Sequence, residues 1–282
     1  MIVFDWKWKI LIEICKRSHY NISELGGGIA VISEKRQNLI LQELTQKDFL
    51  TLQDLVERTG CSASTIRRDL SKLQNMGKLQ RVHGGATIHQ NRVKEPKLSE
   101  KRTQNLREKQ EIAKRAACDI QDHECIFLDA GSSTFELIQY IEAKDITVVT
   151  NGMTHVEELL KHGIKTLMVG GQVKPTTMAT VGANALETLR RYCFDRAFIG
   201  MNGIDVKYGL TTPDEQEALI KETAMKLSNH KYVLVDQSKF NQIYFARVPI
   251  LDGLSIITSQ KAMQSKMTEA YMNEFNFLGG KS

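Results

Sequence analysis

The sequence predicts an N-terminal winged helix-turn-helix, mainly α, joined by a short polar connector to a C-terminal α/β domain built on a mainly parallel sheet. Three observations predict it. Two short amphipathic helical stretches meet at Gly60 and are followed by β-like runs on either side of Gly84-Gly85. The composition then turns polar and charged after Ile88, and beyond it short apolar or β-branched runs alternate with helical patterns. A chain of 282 residues with 41% hydrophobic residues is long enough for two ordinary cores. Its formal net charge of +5 is compatible with nucleic acid without identifying it. No apolar run approaches the length of a membrane span.

Residues 1–30 stand apart. The stretch Phe4-Asp5-Trp6-Lys7-Trp8-Lys9-Ile10-Leu11-Ile12 carries both tryptophans, but charge interrupts its apolar run and no clear cleavage site follows, so it is a poor signal peptide. It reads as a non-native extension translated from upstream sequence, with Gly26-Gly27-Gly28 as a purine-rich stretch and Val31 as the start. The alternative is an amphipathic helix packed on the first domain.

The DNA-binding domain is expected over residues 33–88. From Ser33, the apolar positions Leu39, Ile40 and Leu44 define its first helix. Leu52, Leu55 and Val56 make the stripe of the second, with Thr51 as N-cap and Asp54 at the capping-box spacing. Gly60 supplies the turn, and Ser62 or Ser64 caps the next helix. There Ile66, Leu70 and Leu73 recur at three- and four-residue spacing, leaving Ser64, Thr65, Arg67, Arg68 and Lys72 outward. Hydroxyls at a helix N-terminus can donate to phosphate, and an arginine can donate two bonds to guanine in the major groove. Residues 77–87 then read as a β-hairpin wing, bringing Arg81, His83 and Gly84 to the same interface. Alone, such a helical pair with two arginines is also compatible with a solvated hairpin; the wing and the downstream motifs favour DNA.

Residues 89–99, broken by Pro96, form the connector, and residues 100–275 the second domain. A charged helix is expected from Ser99 to Ile120, burying Ile112, Ala113, Ala116, Ala117 and Ile120. Strands are expected at 126–128, 146–149, 166–169, 196–199 and 232–235, each a run suited to burial on both faces. In such sheets ligands bind at the carboxyl ends of strands. Those ends carry Asp129 with Gly131-Ser132-Ser133-Thr134, Asn151-Gly152, Gly170-Gly171, Gly203, and Asp236 with Lys239. The chemistry suits a small phosphorylated polyol: Asp129, Asn151 and Asp236 for hydroxyls, Lys239 and the Gly131–Thr134 turn for phosphate. Lys221 is either a second cation or a solvated helix lysine.

Two sets of motifs carry a family resemblance. Ser62-Ala63-Ser64-Thr65-Ile66-Arg67-Arg68-Asp69-Leu70 with Arg81-Val82-His83-Gly84-Gly85-Ala86 resembles the DeoR family of bacterial sugar-metabolism repressors. So do Leu128-Asp129-Ala130-Gly131-Ser132-Ser133-Thr134, Val149-Thr150-Asn151-Gly152, Gly170-Gly171 and Asp236-Gln237-Ser238-Lys239-Phe240, with Ser133 where Thr is more usual. The resemblance runs from about Ser33 to about Thr258. It implies a sensor domain similar to ribose-5-phosphate isomerase and a phosphorylated sugar as effector. Gly209-Leu210-Thr211-Thr212-Pro213-Asp214 with Glu217-Ala218-Leu219-Ile220-Lys221 looks most like the fructose-operon repressors, which implies fructose 1-phosphate. The expected partners are operator DNA, the sugar phosphate and further copies of the chain as homodimer or homotetramer.

A rival reading is a sugar-phosphate isomerase, with Asp129, Asp195, Asp236, Glu217 and Lys221 supplying a base and an enediolate-stabilising cation. The turn from Gly200 to Asp205 lacks the paired acidic pattern of those isomerases, and a DNA reader would serve no purpose there. Five scattered cysteines without a Cys-x-x-Cys pair argue against a disulfide framework or zinc site and suit a reducing cytoplasm. His155 and His162 are expected at the surface or in caps. No metal or other cofactor is expected.

Overall fold

Local capping sets the helix-turn-helix. The computed structural model describes residues 28–47, 49–76, 78–82, 84–87, 92–93 and 95–278. Its first part comprises α1 (Gly28–Gln46), β1 (Phe49–Thr51), α2 (Leu52–Thr59), α3 (Ala63–Asn75), β2 (Gln80–Val82) and β3 (Gly85–Thr87). The Thr51 hydroxyl accepts from the Asp54 N–H at 3.0 Å while the Asp54 carboxylate accepts from the Thr51 N–H at 2.8 Å, a complete capping box. Gly60 ends α2 in the left-handed conformation, φ 66°, and donates its N–H to the Val56 carbonyl. Ser62 rather than Ser64 caps α3, accepting from the Thr65 N–H. The three helices then bury Ile40, Leu44, Leu55, Ile66, Leu70 and Leu73 against one another.

Four features depart from expectation. Helix α1 starts at Gly28, ahead of Ser33, while residues 1–27 of the expected extension lie outside the described residues. Leu39 is 37% exposed, because the side of α1 that carries Gln37, Ile40 and Leu44 is the one turned inward. Phe49–Thr51 is a strand that pairs antiparallel with β3, so the wing sheet has three strands in the order β1-β3-β2. That pairing needs glycine at 85, since a Cβ there would lie 2.1 Å from the Leu50 carbonyl oxygen. Lastly, the expected single helix from Ser99 to Ile120 is two, α4 (Leu98–Thr103) and α5 (Leu106–Ala117), broken at Asn105 with φ 53°. The expected buried face of α5 and its extension, Ile112, Ala113, Ala116, Ala117 and Ile120, is buried.

The second part continues with β4 (Cys125–Leu128), α6 (Ser132–Leu137), β5 (Thr147–Thr150), α7 (Met153–Lys161), β6 (Lys165–Met168), β7 (Gln172–Lys174), β8 (Ala179–Val181), α8 (Ala183–Leu189) and β9 (Phe194–Gly200). It ends with β10 (Gly203–Asp205), β11 (Gly209–Thr212), α9 (Glu215–Lys226), β12 (Ser228–Leu234), β13 (Ala246–Val248), β14 (Leu254–Ile257), α10 (Gln260–Met263), α11 (Lys266–Met272) and β15 (Asn276–Phe277). A parallel sheet of order β15-β14-β12-β9-β4-β5-β6 forms its centre. All five expected strands are in it. Alternate residues pack on opposite faces, Phe127, Val149, Ile199 and Val233 on one and Ile126, Leu128, Val148 and Leu234 on the other, which is why both faces carry helices. Strand β6 departs from the expected two-sided burial: it is an edge strand, with Leu167 and Met168 exposed.

The chain runs β4, β5, β6 outward on one side, then returns to β9 on the other side of β4. Between β4 and β9 the connections diverge, and a crevice opens beyond their carboxyl ends.

Candidate ligand pocket and nucleic-acid interface

The crevice is a pocket lined by Asp129, Gly131, Ser132 and Ser133 after β4, Gly200, Met201 and Asn202 after β9, Glu217 and Lys221 from α9, and Lys239 after β12. Of the residues expected to bind ligand, Asp129, Gly131, Ser132, Ser133, Lys221 and Lys239 therefore meet at one place. The others shape it from outside. Asn151 accepts from the Ala130 N–H at 3.0 Å and donates to the Thr180 carbonyl at 3.2 Å, tying the ends of β4 and β8 together. Gly152 gives room to His155, whose ring a Cβ would meet at 2.5 Å. Gly171 gives room to the Val181 carbonyl, Gly203 to the Gln242 carbonyl, and Gly170 is exposed. Thr134 is fully buried behind the turn, its hydroxyl donating to the Asp129 carbonyl.

Asp236 is also buried. One carboxylate oxygen accepts from Asn105 at 2.9 Å and from the Ser238 N–H and hydroxyl, while the other has no partner among the described residues. Burial would raise its pKa, but Lys239, Ser238 and Lys109 outweigh burial and hold it below the ordinary carboxylate value. Lys109, buried nearby, is pulled down to about 8 by its own desolvation.

Lys221 is neither solvated nor free. Its ammonium lies 2.5 Å from Asp129 Oδ2 and donates to the Gly200 carbonyl at 3.0 Å, and the Gly200 N–H donates to the same carboxylate oxygen at 3.1 Å. Burial opposes its charge, yet Asp129 and Glu217 raise its pKa above the ordinary lysine value. The two residues expected to serve separately thus neutralise each other. Lys239, by contrast, forms no ion pair among the described residues, and neither the Ser132 nor the Ser133 hydroxyl is taken up by another described residue.

Residues not singled out from sequence complete the pocket. Glu95 and Lys101 come from the connector and α4, and Thr177 from the β7–β8 hairpin. Glu95 pairs with Lys101 at 2.8 Å and with Lys174 at 2.5 Å; Lys174 reaches on to Asp214 at 3.0 Å and Glu217 at 3.2 Å. Burial pushes the Glu95 pKa up, but Lys101 and Lys174 more than offset it and keep the group ionised. No compositional signal marks Glu95 or Lys174, since their pairing joins segments 79 positions apart.

His155 corrects another expectation: it is fully buried, its Nε2 3.1 Å from the Thr134 hydroxyl, and desolvation pulls its pKa down to about 3. His162 lies at the end of α7, its Nδ1 2.9 Å from the Glu158 carbonyl. Among the described residues no three His, Cys, Asp or Glu side chains could hold a metal ion, and no helix is long and apolar enough to cross a membrane.

On the other domain, Ser62, Ser64, Arg67, Arg68 and Lys72 are exposed along one side of α3, with Thr65 half-buried among the hydroxyls of its first turn. Asp69 faces inward: it pairs with Arg36 and accepts from Gln37 at 2.9 Å, fastening α3 to α1. Arg81 donates to the Ser71 hydroxyl at 2.7 Å, so the wing is braced against α3 by a residue expected to touch DNA. Gly84 turns the wing with φ 83°, a left-handed conformation that favours glycine. His83 lies outside the described residues.

Residues 36–92 match the DeoR-like helix-turn-helix domain and residues 104–276 the DeoR C terminal sensor domain. The chain is 41% identical over 230 residues to a Bacillus subtilis (strain 168) protein named uncharacterized HTH-type transcriptional regulator FruR, covering 81% of this chain and 92% of that one. It is 31% identical over 241 residues to the HTH-type transcriptional regulator GlpR of Haloferax volcanii, covering 85% and 94%. Among solved structures, a D-ribose-5-phosphate isomerase in complex with phospho-erythronic acid matches 47% of this chain and 52% of its own at 21% identity and a TM-score of 0.36, a loose likeness.

Proposed function

Because the chain belongs to the DeoR family of transcriptional regulators and is a regulator rather than an enzyme, we propose that it represses a sugar-utilisation operon and is released from its operator by a phosphorylated sugar, fructose 1-phosphate. The observation that carries this reading is the composition of the pocket at the β4–β9 crevice. Its paired charges are compensated, whereas Lys239 and the hydroxyls of Ser132 and Ser133 remain available, a combination suited to an anion that also bears hydroxyls. The segment that resembles the fructose branch supports the choice of ester: Gly209–Thr212 is β11, Asp214 caps α9, and Glu217 and Lys221 project from that helix into the pocket.

Operator reading falls to the open side of α3 and the wing. Arg67 and Arg68 are placed to read base edges, while Ser62, Ser64 and Lys72 suit phosphate. Two such domains in a dimer or tetramer would read half-sites about one DNA turn apart. For the sugar phosphate to release DNA it must bind the DNA-incompetent arrangement more tightly, and a coupling of about 1–3 kcal/mol changes operator affinity several-fold to about a hundred-fold. The test is fluorescence anisotropy of the labelled promoter of the neighbouring operon at fixed salt, with and without fructose 1-phosphate, fructose 6-phosphate and other sugar phosphates. Release by fructose 1-phosphate alone supports the whole reading. Release by a different ester replaces the effector, and absence of specific DNA binding rejects the repressor.

A further inference from the structure

We propose that Glu95 is an internal occupant of the pocket's phosphate subsite, holding Lys101 and Lys174 until a phosphate monoester displaces it and frees the connector to the winged helix. The proposal rests on the sugar-phosphate reading of this pocket and adds how occupancy reaches the DNA-binding domain.

The connector is not a free tether. The Phe245 N–H donates to the Arg92 carbonyl at 3.1 Å, the Leu98 N–H donates to the Thr176 carbonyl at 3.0 Å, and the Leu98 side chain is buried. Between these two anchors the Glu95 side chain, 5% exposed, points into the pocket and bridges two ammonium groups, 2.8 Å and 2.5 Å away. A carboxylate gripped by two lysines is what a phosphate would also seek, and a phosphate monoester carries about −1.5 to −2 charges on three acceptor oxygens against one charge on two.

Space makes the competition unavoidable. With Glu95 inside, the pocket's free volume is about 40 Å³, room for about three waters at the roughly 10–15 Å³ each requires. Sites for small organic ligands run from about 300 Å³ upward. A sugar phosphate therefore enters only if a lining group leaves. Asp129 and Lys221 are locked to each other and to the Gly200 backbone, and Glu217 is held by Thr177 at 2.7 Å and Lys174 at 3.2 Å. Glu95 alone among the charged lining groups sits on the connector.

Charge points the same way. Among the charged lining groups, Lys101, Lys221 and Lys239 face Glu95, Asp129 and Glu217, an even balance. Withdrawing Glu95 leaves an excess of one positive charge, which a phosphate monoester more than neutralises. In the state with Glu95 inside, α3 touches the short 3-10 turn Gln237–Lys239, and the side chains of Arg67, Arg68 and Lys72 are exposed. Expulsion of Glu95 unfastens the connector and with it this arrangement, which lowers operator affinity.

The test uses the full chain, with inorganic phosphate and fructose 1-phosphate as probes in titration calorimetry and labelled operator in anisotropy, for wild type, Glu95→Gln and Glu95→Asp. Glu95→Gln should bind both probes about tenfold or more tightly, and its operator affinity should respond to the ester by less than about twofold, against the several-fold response of the wild type. Glu95→Asp, which keeps the carboxylate but shortens its reach, should lie between them and serves if the glutamine variant folds poorly. Exchange of the Leu98 amide, which donates to the Thr176 carbonyl, should quicken when the ester is added to the wild type. Unchanged or weaker binding by Glu95→Gln, with the wild type binding normally, overturns the proposal and leaves the effector reading intact. Refusal of both probes and every other sugar phosphate by all three proteins removes the effector reading and this proposal together, whereas binding by Glu95→Gln alone supports the proposal.

Discussion

Replacing Lys221 with methionine should be the most damaging single change in the pocket. Lys221 and Asp129 have side chains only 5% and 3% exposed, and the carboxylate oxygen that meets the ammonium at 2.5 Å has one other donor, the Gly200 N–H at 3.1 Å. Lys221→Met removes the cation and strands a buried carboxylate, a loss of about 3–5 kcal/mol. Asp129→Asn with Lys221→Met removes both charges and leaves an amide oxygen for the Gly200 N–H, so the double variant should recover most of that loss. The chain has two domains, and a single global unfolding free energy would blend them. Hydrogen exchange at β4 and β9 reports the right region, and the expected loss corresponds to exchange from about a hundred-fold to a few thousand-fold faster in Lys221→Met, at about 1.4 kcal/mol per tenfold. Exchange within about threefold of wild type, or a double variant as damaged as the two singles summed, would refute the reasoning. It would place Lys221 in solvent and return it to the set of cations open to phosphate.

Arg67→Ala or Arg68→Ala should cost about 1–3 kcal/mol of operator binding and relax specificity at one base pair if that arginine reads a base; equal loss on all sequences in a competition assay would make it a phosphate contact. Gly85→Ala would put a Cβ 2.1 Å from the Leu50 carbonyl, so β1 should part from β3, seen as faster amide exchange at 49–51 and weakened operator binding; wild-type exchange there would contradict the close approach. His155 is held neutral with its pKa near 3 by burial, so the unfolded chain takes up a proton that the folded one refuses as pH falls below about 6.5. The His155 contribution is complete above that pH and should fall by up to about 1.4 kcal/mol per pH unit on acidification toward 3, so the His155→Gln profile should be shallower by that component. Parallel pH profiles for the two proteins would show that His155 is not the group responsible.

Several elements were legible in the sequence. Helices α2 and α3, the Thr51–Asp54 capping box, the left-handed Gly60 and five strands of the parallel sheet all depend on residues within a few positions of one another, and periodicity and capping report that range faithfully. The sequence also brought Asp129, Ser132, Ser133 and Lys239 to the strand ends that line one pocket, because in a parallel α/β sheet such ends converge. What only the tertiary structure decided is how those residues are used. Lys221 meets Asp129 across 92 positions, Glu95 meets Lys174 across 79 and Gln37 meets Asp69 across 32. Asn151 joins neighbouring segments, and Gly171 leaves room for the Val181 carbonyl. The difference has one physical source. Secondary structure is written in near-neighbour patterns, whereas the partner of a buried charge depends on strand order, and the turn back from β6 to β9 decides which distant segments share the crevice.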